Sequence, residues 1–443
     1  MKIALITSFP PSRHALNEYG VHVAEQLRDE PCVDLTVLGD YLPTPPQGHP
    51  GLDELPGFNV VRCWGFGNPA NVATLLRAIR SVKPDVAWFN LGFASFGARP
   101  LSAMLGLVTP AAARLNGVYS HVTLHQLFET VDLDDAAVSS HRLYRAGGWL
   151  ATHLLLSANS LSVLLPTYRL TLDEKYRRGR VSVRPHGIFT GKPDPPDLTR
   201  RGNPIHRILA FGKWGTYKRL ELLIEAFNRV ATQFPNVSLI IGGGDHPKTP
   251  GYVQSMAERY SGSSSTSASN SDSNDRIRFL GYVPEDSIPD LFREASLAVM
   301  PYTSSAGSSG VAHLAAQYGV PVIASDIPDF HEVAEHEGIA IRFFTPGSVD
   351  SLVEQLLQTL NSPDDLKAMA WQNYAAGVAM SMPQVVREYI RNFRQHERIK
   401  TLQLAASLRR AGPFRNHEDA LARTMGDKIQ RWRDEDEIAG SSV

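Results

Sequence analysis

This chain of 443 residues is poor in cysteine, in net charge and in long apolar runs, and each shortage narrows its function. There are two cysteines, Cys32 and Cys63. Neither stands in a Cys-x-x-Cys pair or among metal-ligating neighbours, so the expectation is two buried free thiols in a reducing cytosol. The 44 Lys and Arg and the 45 Asp and Glu nearly cancel, at −1, which gives no global field for nucleic acid or an anionic membrane. The most apolar stretch, Gly148 to Leu165, is interrupted by His153, Ser157, Asn159, Ser160 and Ser162 and does not read as a membrane span. The opening "MKIALITSFPPS" has an apolar run too short for a signal peptide and reads as a buried first strand. No GxxxxGK[ST] occurs, and "IIGGGDHPKTPG" lacks the GxGxxG spacing of a dinucleotide site.

What is present is a regular alternation. "KIALITS", "DLTVLG", "NVVRCW", "DVAWFN" and "HVTLH" read as strands in the first half; "RILAFGK", "VSLIIGG", "IRFLGY", "LAVMPY" and "PVIASD" do so in the second. Continuous apolar runs suit parallel strands buried on both faces. Amphipathic stretches lie between them, the clearest being "RLELLIEAFNRVATQF", where Leu223, Phe227, Val230 and Phe234 share a face. The length and the repeated alternation predict two doubly wound α/β domains. The proline-rich, charged "KPDPPDLTRRGNP" divides them into residues 1–200 and 205–380, and Ser261 to Asp275 reads as a polar loop inside the second. Residues 381–443 read as C-terminal helices, the first returning to the first domain. They form either a solvated pair or a peripheral membrane contact through Arg398, Lys400, Arg409 and Arg410.

Three places carry chemistry. In "LAFGKWGTYKRLELLIEAF" a strand ends at Gly212, and Lys213 and Lys218 flank the loop before a helix. Cations there oppose the helix dipole, and they are either placed to meet phosphates at the sheet's C-terminal edge or are two solvated lysines at a helix start. In "AGSSG", Gly307 to Gly310 with Ser308 and Ser309 can bring backbone N–H groups to an anion at a helix start, or form an ordinary turn. His125 closes a strand, at a cleft or as a satisfied structural histidine. Asn17, Glu18 and Gly20 open a helix that borders the cleft or is simply capped there.

Taken in order, "SFPP", "TLH", "VRPHG", "FGKWGTYKRLELLIEAF", "IRFLGYVPEDSIPDLFREASLAVMPY" and "GVPVIASDIPDFHEVAEHEG" resemble the retaining nucleotide-sugar glycosyltransferases of the GT-B fold, family 4, over about residues 1–395. The resemblance implies two Rossmann-like domains facing across a cleft. It implies Lys213 and Lys218 on the donor diphosphate, with lysine where the family usually has arginine first. It also implies His125 on the donor sugar and the Gly307 to Gly310 turn against sugar or diphosphate. No cofactor or metal is expected, the partners being a nucleotide-sugar donor and a sugar, lipid-linked or small-molecule acceptor, and the location cytoplasmic. The departure lies between Thr303 and Ser325, which hold no acidic residue. Alanine at 306 and leucine at 314 stand where the family carries glutamates that contact the donor sugar and the ribose. His313 is a candidate for a ribose or sugar contact; Glu332 and Glu335 read as ordinary helix residues. The expectation is an active transferase with an atypical donor site, and the alternative a catalytically silent GT-B module that binds a sugar nucleotide or a partner protein.

Overall fold

The computed structural model describes residues 1–12, 14–42, 54–130, 141–177, 181–201, 206–246, 249–261, 276–304 and 309–410. The first half runs β1 (Lys2–Ile6), α1 (Asn17–Asp29), β2 (Asp34–Asp40), β3 (Val60–Trp64), α2 (Asn71–Val82) and β4 (Val86–Leu91). It continues through α3 (Pro100–Leu107), α4 (Thr109–Leu115), β5 (Tyr119–Leu124), α5 (His141–Leu155), β6 (Ser160–Val163), α6 (Pro166–Tyr176) and β7 (Val181–Val183). After a connecting turn, α7 (Leu198–Arg201), come β8 (Arg207–Phe211), α8 (Leu220–Val230), β9 (Ser238–Gly242), α9 (Tyr252–Ser261), β10 (Ile277–Gly281) and α10 (Ile288–Arg293). Then follow β11 (Leu297–Met300), α11 (Gly310–Gln317), β12 (Val322–Ser325), α12 (Pro328–Glu337), β13 (Ile341–Phe344), α13 (Val349–Leu360), α14 (Pro363–Ala379) and α15 (Met382–Arg410).

The strands form a seven-stranded sheet ordered β3-β2-β1-β4-β5-β6-β7 and a six-stranded sheet ordered β10-β9-β8-β11-β12-β13. Every pairing among the described residues is parallel. The apolar runs explain why: β4 is buried at all six positions and β12 at all four, as strands covered by helices on both faces must be. In each sheet the strand order reverses once, between β1 and β4 and between β8 and β11. Open α/β sheets hold ligands at such reversals, outside the carboxyl ends of the strands.

The final helix joins the first half. Met382, Val385, Val386, Tyr389, Ile390 and Phe393 on α15 share a buried cluster with Leu5, Trp88 and Tyr19. The Tyr389 ring lies 4.4 Å from that of Trp88, and its hydroxyl reaches Ser162 and Thr123 at 3.1 and 3.3 Å. Arg398 is half-buried and Lys400 exposed; the chain beyond residue 410, including the second expected C-terminal helix, lies outside the described residues. Among the described residues no helix is long and apolar enough to cross a membrane. Cys63 is buried and its thiol pushed up to about 12 by that burial, whereas Cys32, expected buried, is only half-covered because it lies in the turn between α1 and β2.

Candidate active site

The first half of the site is the turn after β1. Asp40 ends β2 with its carboxylate fully buried, where it accepts from Phe9 N–H at 3.1 Å, from the Ser12 hydroxyl, and from His14 Nδ1 at 2.7 Å. A buried carboxylate satisfied by three donors of one loop fixes that loop. Asn17 adds to the clamp, its Nδ2 donating to the Ser12 carbonyl at 2.8 Å. Gly20 is required for packing, since a Cβ there would fall 2.6 Å from Thr7 Oγ1. Asn17 and Gly20 therefore shape the turn. Glu18 is the member of the trio that faces the other half: its pKa is raised by burial and by Glu285, against the lowering pull of His22 and Lys213. Glu18 keeps open surface although its neighbours crowd it enough to raise its pKa, and two of the charges acting on it, Glu285 and Lys213, belong to the second half.

His125 follows β5 and is buried. Its Nε2–H donates to Asn90 Oδ1 at 2.6 Å, and Asn90 Nδ2 donates on to Thr7 Oγ1 at 3.1 Å. Burial lowers its pKa to about 3, so the ring is neutral. With Nε2 donated, Nδ1 is left as an acceptor. The Tyr19 ring packs 4.5 Å from His125 and 4.9 Å from His186, which follows β7 within "VRPHG". His186 is lowered well below the ordinary value by burial, then by His313 and His125.

The second half of the site starts where β8 ends. Lys218 is 8% exposed and its pKa is lowered to about 8, by burial first and Lys213 second. Its ammonium stands 4.6 Å from the Tyr302 ring centre and 5.7 Å from that of Trp214. No carboxylate lies within ion-pair distance of it among the described residues. Gly212 makes room for it: a Cβ there, at a φ of 135°, would lie 2.7 Å from Lys218 Nζ. Gly243, just after β9, has a similar reason, a Cβ there falling 1.9 Å from the Gly212 carbonyl oxygen. Lys213 is exposed at the mouth.

Of the glycine-serine turn, Ala306, Gly307 and Ser308 lie outside the described residues. Ser309 turns its hydroxyl to Met300 Sδ at 3.5 Å, and a Cβ at Gly310 would meet nothing within 4 Å. Leu314 packs against the buried cluster. His313 differs from its expected role. It is 2% exposed, its Nδ1 donates to the Ser309 carbonyl at 2.8 Å, and its Nε2 stands 2.9 Å from Glu337 Oε2, so the ring faces groups of the protein itself. Its ring instead meets that of His186 at 4.6 Å, across the junction of the halves. Two more bonds cross there: Phe189 N–H to Gln317 Oε1 at 3.1 Å and Thr167 N–H to Glu332 Oε2 at 3.3 Å. Glu332 thus satisfies an orphan N–H at the start of α6, a duty its helical pattern did not announce. Glu335 is exposed.

Asp40, Tyr19, His186, Tyr302 and Glu337 were not singled out from the sequence. His186, Tyr302 and Glu337 lie within stretches that carry the resemblance, yet no spacing there announces their contacts. Among the described residues no group of three or more His, Cys, Asp or Glu could hold a metal ion.

A family model described as "Glycosyl transferases group 1" matches residues 205–362, the half that carries Lys213, Lys218 and His313. No curated protein sequence matches the chain. Among solved structures, sucrose-phosphate synthase from Thermosynechococcus elongatus is 15% identical with a TM-score of 0.65, covering 90% of this chain and 99% of its own. HepE of Anabaena, solved in complex with UDP, is 14% identical with a TM-score of 0.63, covering 89% and 100%. WaaG, a glycosyltransferase involved in lipopolysaccharide biosynthesis, is 14% identical with a TM-score of 0.57, covering 87% and 98%. At such identities the likeness establishes the fold, which is GT-B: two doubly wound Rossmann-like halves facing across a cleft.

Proposed function

We propose that the protein transfers a sugar from a nucleoside diphosphate sugar, held in the second half, to an acceptor held in the first. The observation that carries this reading is Lys218, a buried cation with no carboxylate partner among the described residues and with its pKa lowered to about 8. An unpaired buried charge is unfavourable in the free protein and asks for an anion. With Lys213 at the mouth and the start of α11 beside it, that anion is a diphosphate, whose charge the lysines offset as it leaves, without a metal. Lysine neutralises a phosphate as a point charge and lacks the planar fork of arginine.

Neutral His125 accepts from a donor-sugar hydroxyl through Nδ1 and holds the sugar in place. Retention of configuration, membership of family 4 and a hexosyl donor follow from the resemblance and belong to the same proposal, as do a cytoplasmic setting and an acceptor that is a sugar, a lipid-linked sugar or a small molecule. The match over residues 205–362 and the shared fold with HepE, solved with UDP, support it.

One observation favours a second reading. Leu314 packs on the apolar cluster where the resemblance places a ribose-binding glutamate, which suits a module that binds a sugar nucleotide without transferring it. Incubating the protein with UDP-, GDP- and ADP-sugars, and following free nucleoside diphosphate and the anomer of the released or transferred sugar, separates the two. Slow turnover with retention that is lost in Lys218→Ala supports transfer; binding with no turnover at any donor supports the silent module.

A further inference from the structure

Neither α11 nor the segment before it carries a carboxylate, but one reaches His313 on α11 from another helix. Glu337, the last residue of α12, sets Oε2 2.9 Å from His313 Nε2, with side chains 5% and 3% exposed. His313 Nδ1–H donates to the Ser309 carbonyl at 2.8 Å, and Ser309 is the N-cap residue of α11. A ring that donates through Nδ1 and faces a carboxylate with Nε2 has its charged form favoured. Burial alone would lower its pKa, but the Glu337 charge and the Ser309 carbonyl outweigh burial and the net shift is upward. The groups facing it are Glu337 from α12, the Ser309 carbonyl, and neutral His186 from the first half, on which His125 and His22 also act.

Neither Glu337 oxygen nor His313 Nε2 has a hydrogen bond of good geometry among the described residues, so the two meet as a charge contact and no other group is set to satisfy this carboxylate. Buried ion pairs of this kind add little stability compared with apolar packing, which favours a positional role over a purely stabilising one. The position is specific. Val311 Cγ2 in the first turn of α11 and Lys218 Nζ lie 3.6 and 2.7 Å from one point, the Cβ that any other residue would have at Gly212. The helix start that His313 holds is therefore beside the unpaired ammonium.

We propose that Glu337 and His313 are positioning residues for the donor: the chain Glu337–His313–Ser309 fixes the start of α11 against Lys218, in place of the carboxylates missing at 306 and 314. This rests on the donor reading above. The unaltered protein, Glu337→Gln, Glu337→Asp, His313→Gln and Lys218→Ala are titrated with UDP, GDP and ADP, alongside thermal melting and ring-nitrogen nuclear magnetic resonance of the free proteins. The expected results are a doubly protonated His313 beside neutral His186, and Glu337→Gln weakening the best diphosphate about tenfold, as loss of an outer partner does at metal sites. Glu337→Asp restores part of the affinity. In the unaltered protein affinity falls as pH rises through the His313 transition; in Glu337→Gln that fall moves to lower pH, while the one due to Lys218 stays near 8.

A folded Glu337→Gln with unchanged affinity and pH profile, while Lys218→Ala still weakens binding, overturns the positioning role and leaves the donor reading standing. A lowered melting point with unchanged affinity of the folded protein does the same. Should Glu337→Gln not fold, His313→Gln is read by the same criteria. No binding of any diphosphate by the unaltered protein overturns the donor reading and the positioning role together.

Discussion

At the residue scale the account turns on Lys218. Its pKa is about 8 in the free protein against an ordinary 10.5, so below pH 8 the folded state holds a proton at a disadvantage of roughly 3 kcal/mol. The sign follows from proton counting. Between about 8 and 10.5 the unfolded chain binds the proton that the folded one has released, so this group makes stability rise with pH across that window. Lys218→Met should therefore melt at a higher temperature than the unaltered protein at pH 7 and lose the advantage by pH 10.5, while failing to bind a diphosphate; an equal or lower melting point at pH 7 would speak against an unpaired buried charge. The lysine was legible in the sequence because its message is local: a cation at a strand-helix turn. The contact of His313 with Glu337 was not legible, because Glu337 lies on another helix and no spacing within one helix records it. Asp40 was invisible for a similar reason, its donors lying far back along the chain in the turn after β1.

The helices and strands repeat that division between local and distant information. The ten apolar runs read from the sequence are all strands; continuous Val, Ile and Leu are what doubly covered strands such as β4 and β12 require, while the edge strands β3 and β10 are only partly covered. β6, β7 and β13 escaped notice. They are three or four residues long, and β6 alternates serine with apolar residues inside a stretch that also holds the end of α5. Their strand character comes from pairing with neighbours already in place. The glycine run at the end of β9 gave no fingerprint, and for Gly243 packing supplies the reason. Gly243→Ala, with φ at 104° and a Cβ 1.9 Å from the Gly212 carbonyl, should destabilise the protein by about 3 kcal/mol or more in urea unfolding. For α15, Tyr389→Phe removes a hydroxyl shared by Ser162 and Thr123 and should cost about 1–2 kcal/mol in the same measurement. A near-zero change would mean that α15 is held by its apolar face alone.

Across the whole molecule, the two sheets follow from the alternation of the sequence and the cleft between them from the resemblance, while the junction follows from neither. His186 against His313, Phe189 to Gln317 and Thr167 to Glu332 are pairings between halves that only the folded chain brings together. They tie the first half to α11 and α12, which flank the proposed donor. A ligand that binds the native state alone stabilises it by about 2.7 kcal/mol at a hundredfold excess over Kd, so a matching nucleoside diphosphate should raise the melting temperature by several degrees and the bare nucleoside by much less. The most direct test of the donor site is a calorimetric titration of UDP, GDP and ADP, and of the matching nucleosides, into the unaltered protein and Lys218→Ala at pH 7. The account predicts that one diphosphate binds and that Lys218→Ala weakens it about a hundredfold, in keeping with a lost buried charge pair, while nucleoside affinity is unchanged. Equal loss for diphosphate and nucleoside, or no binding of any diphosphate to the unaltered protein, would contradict it.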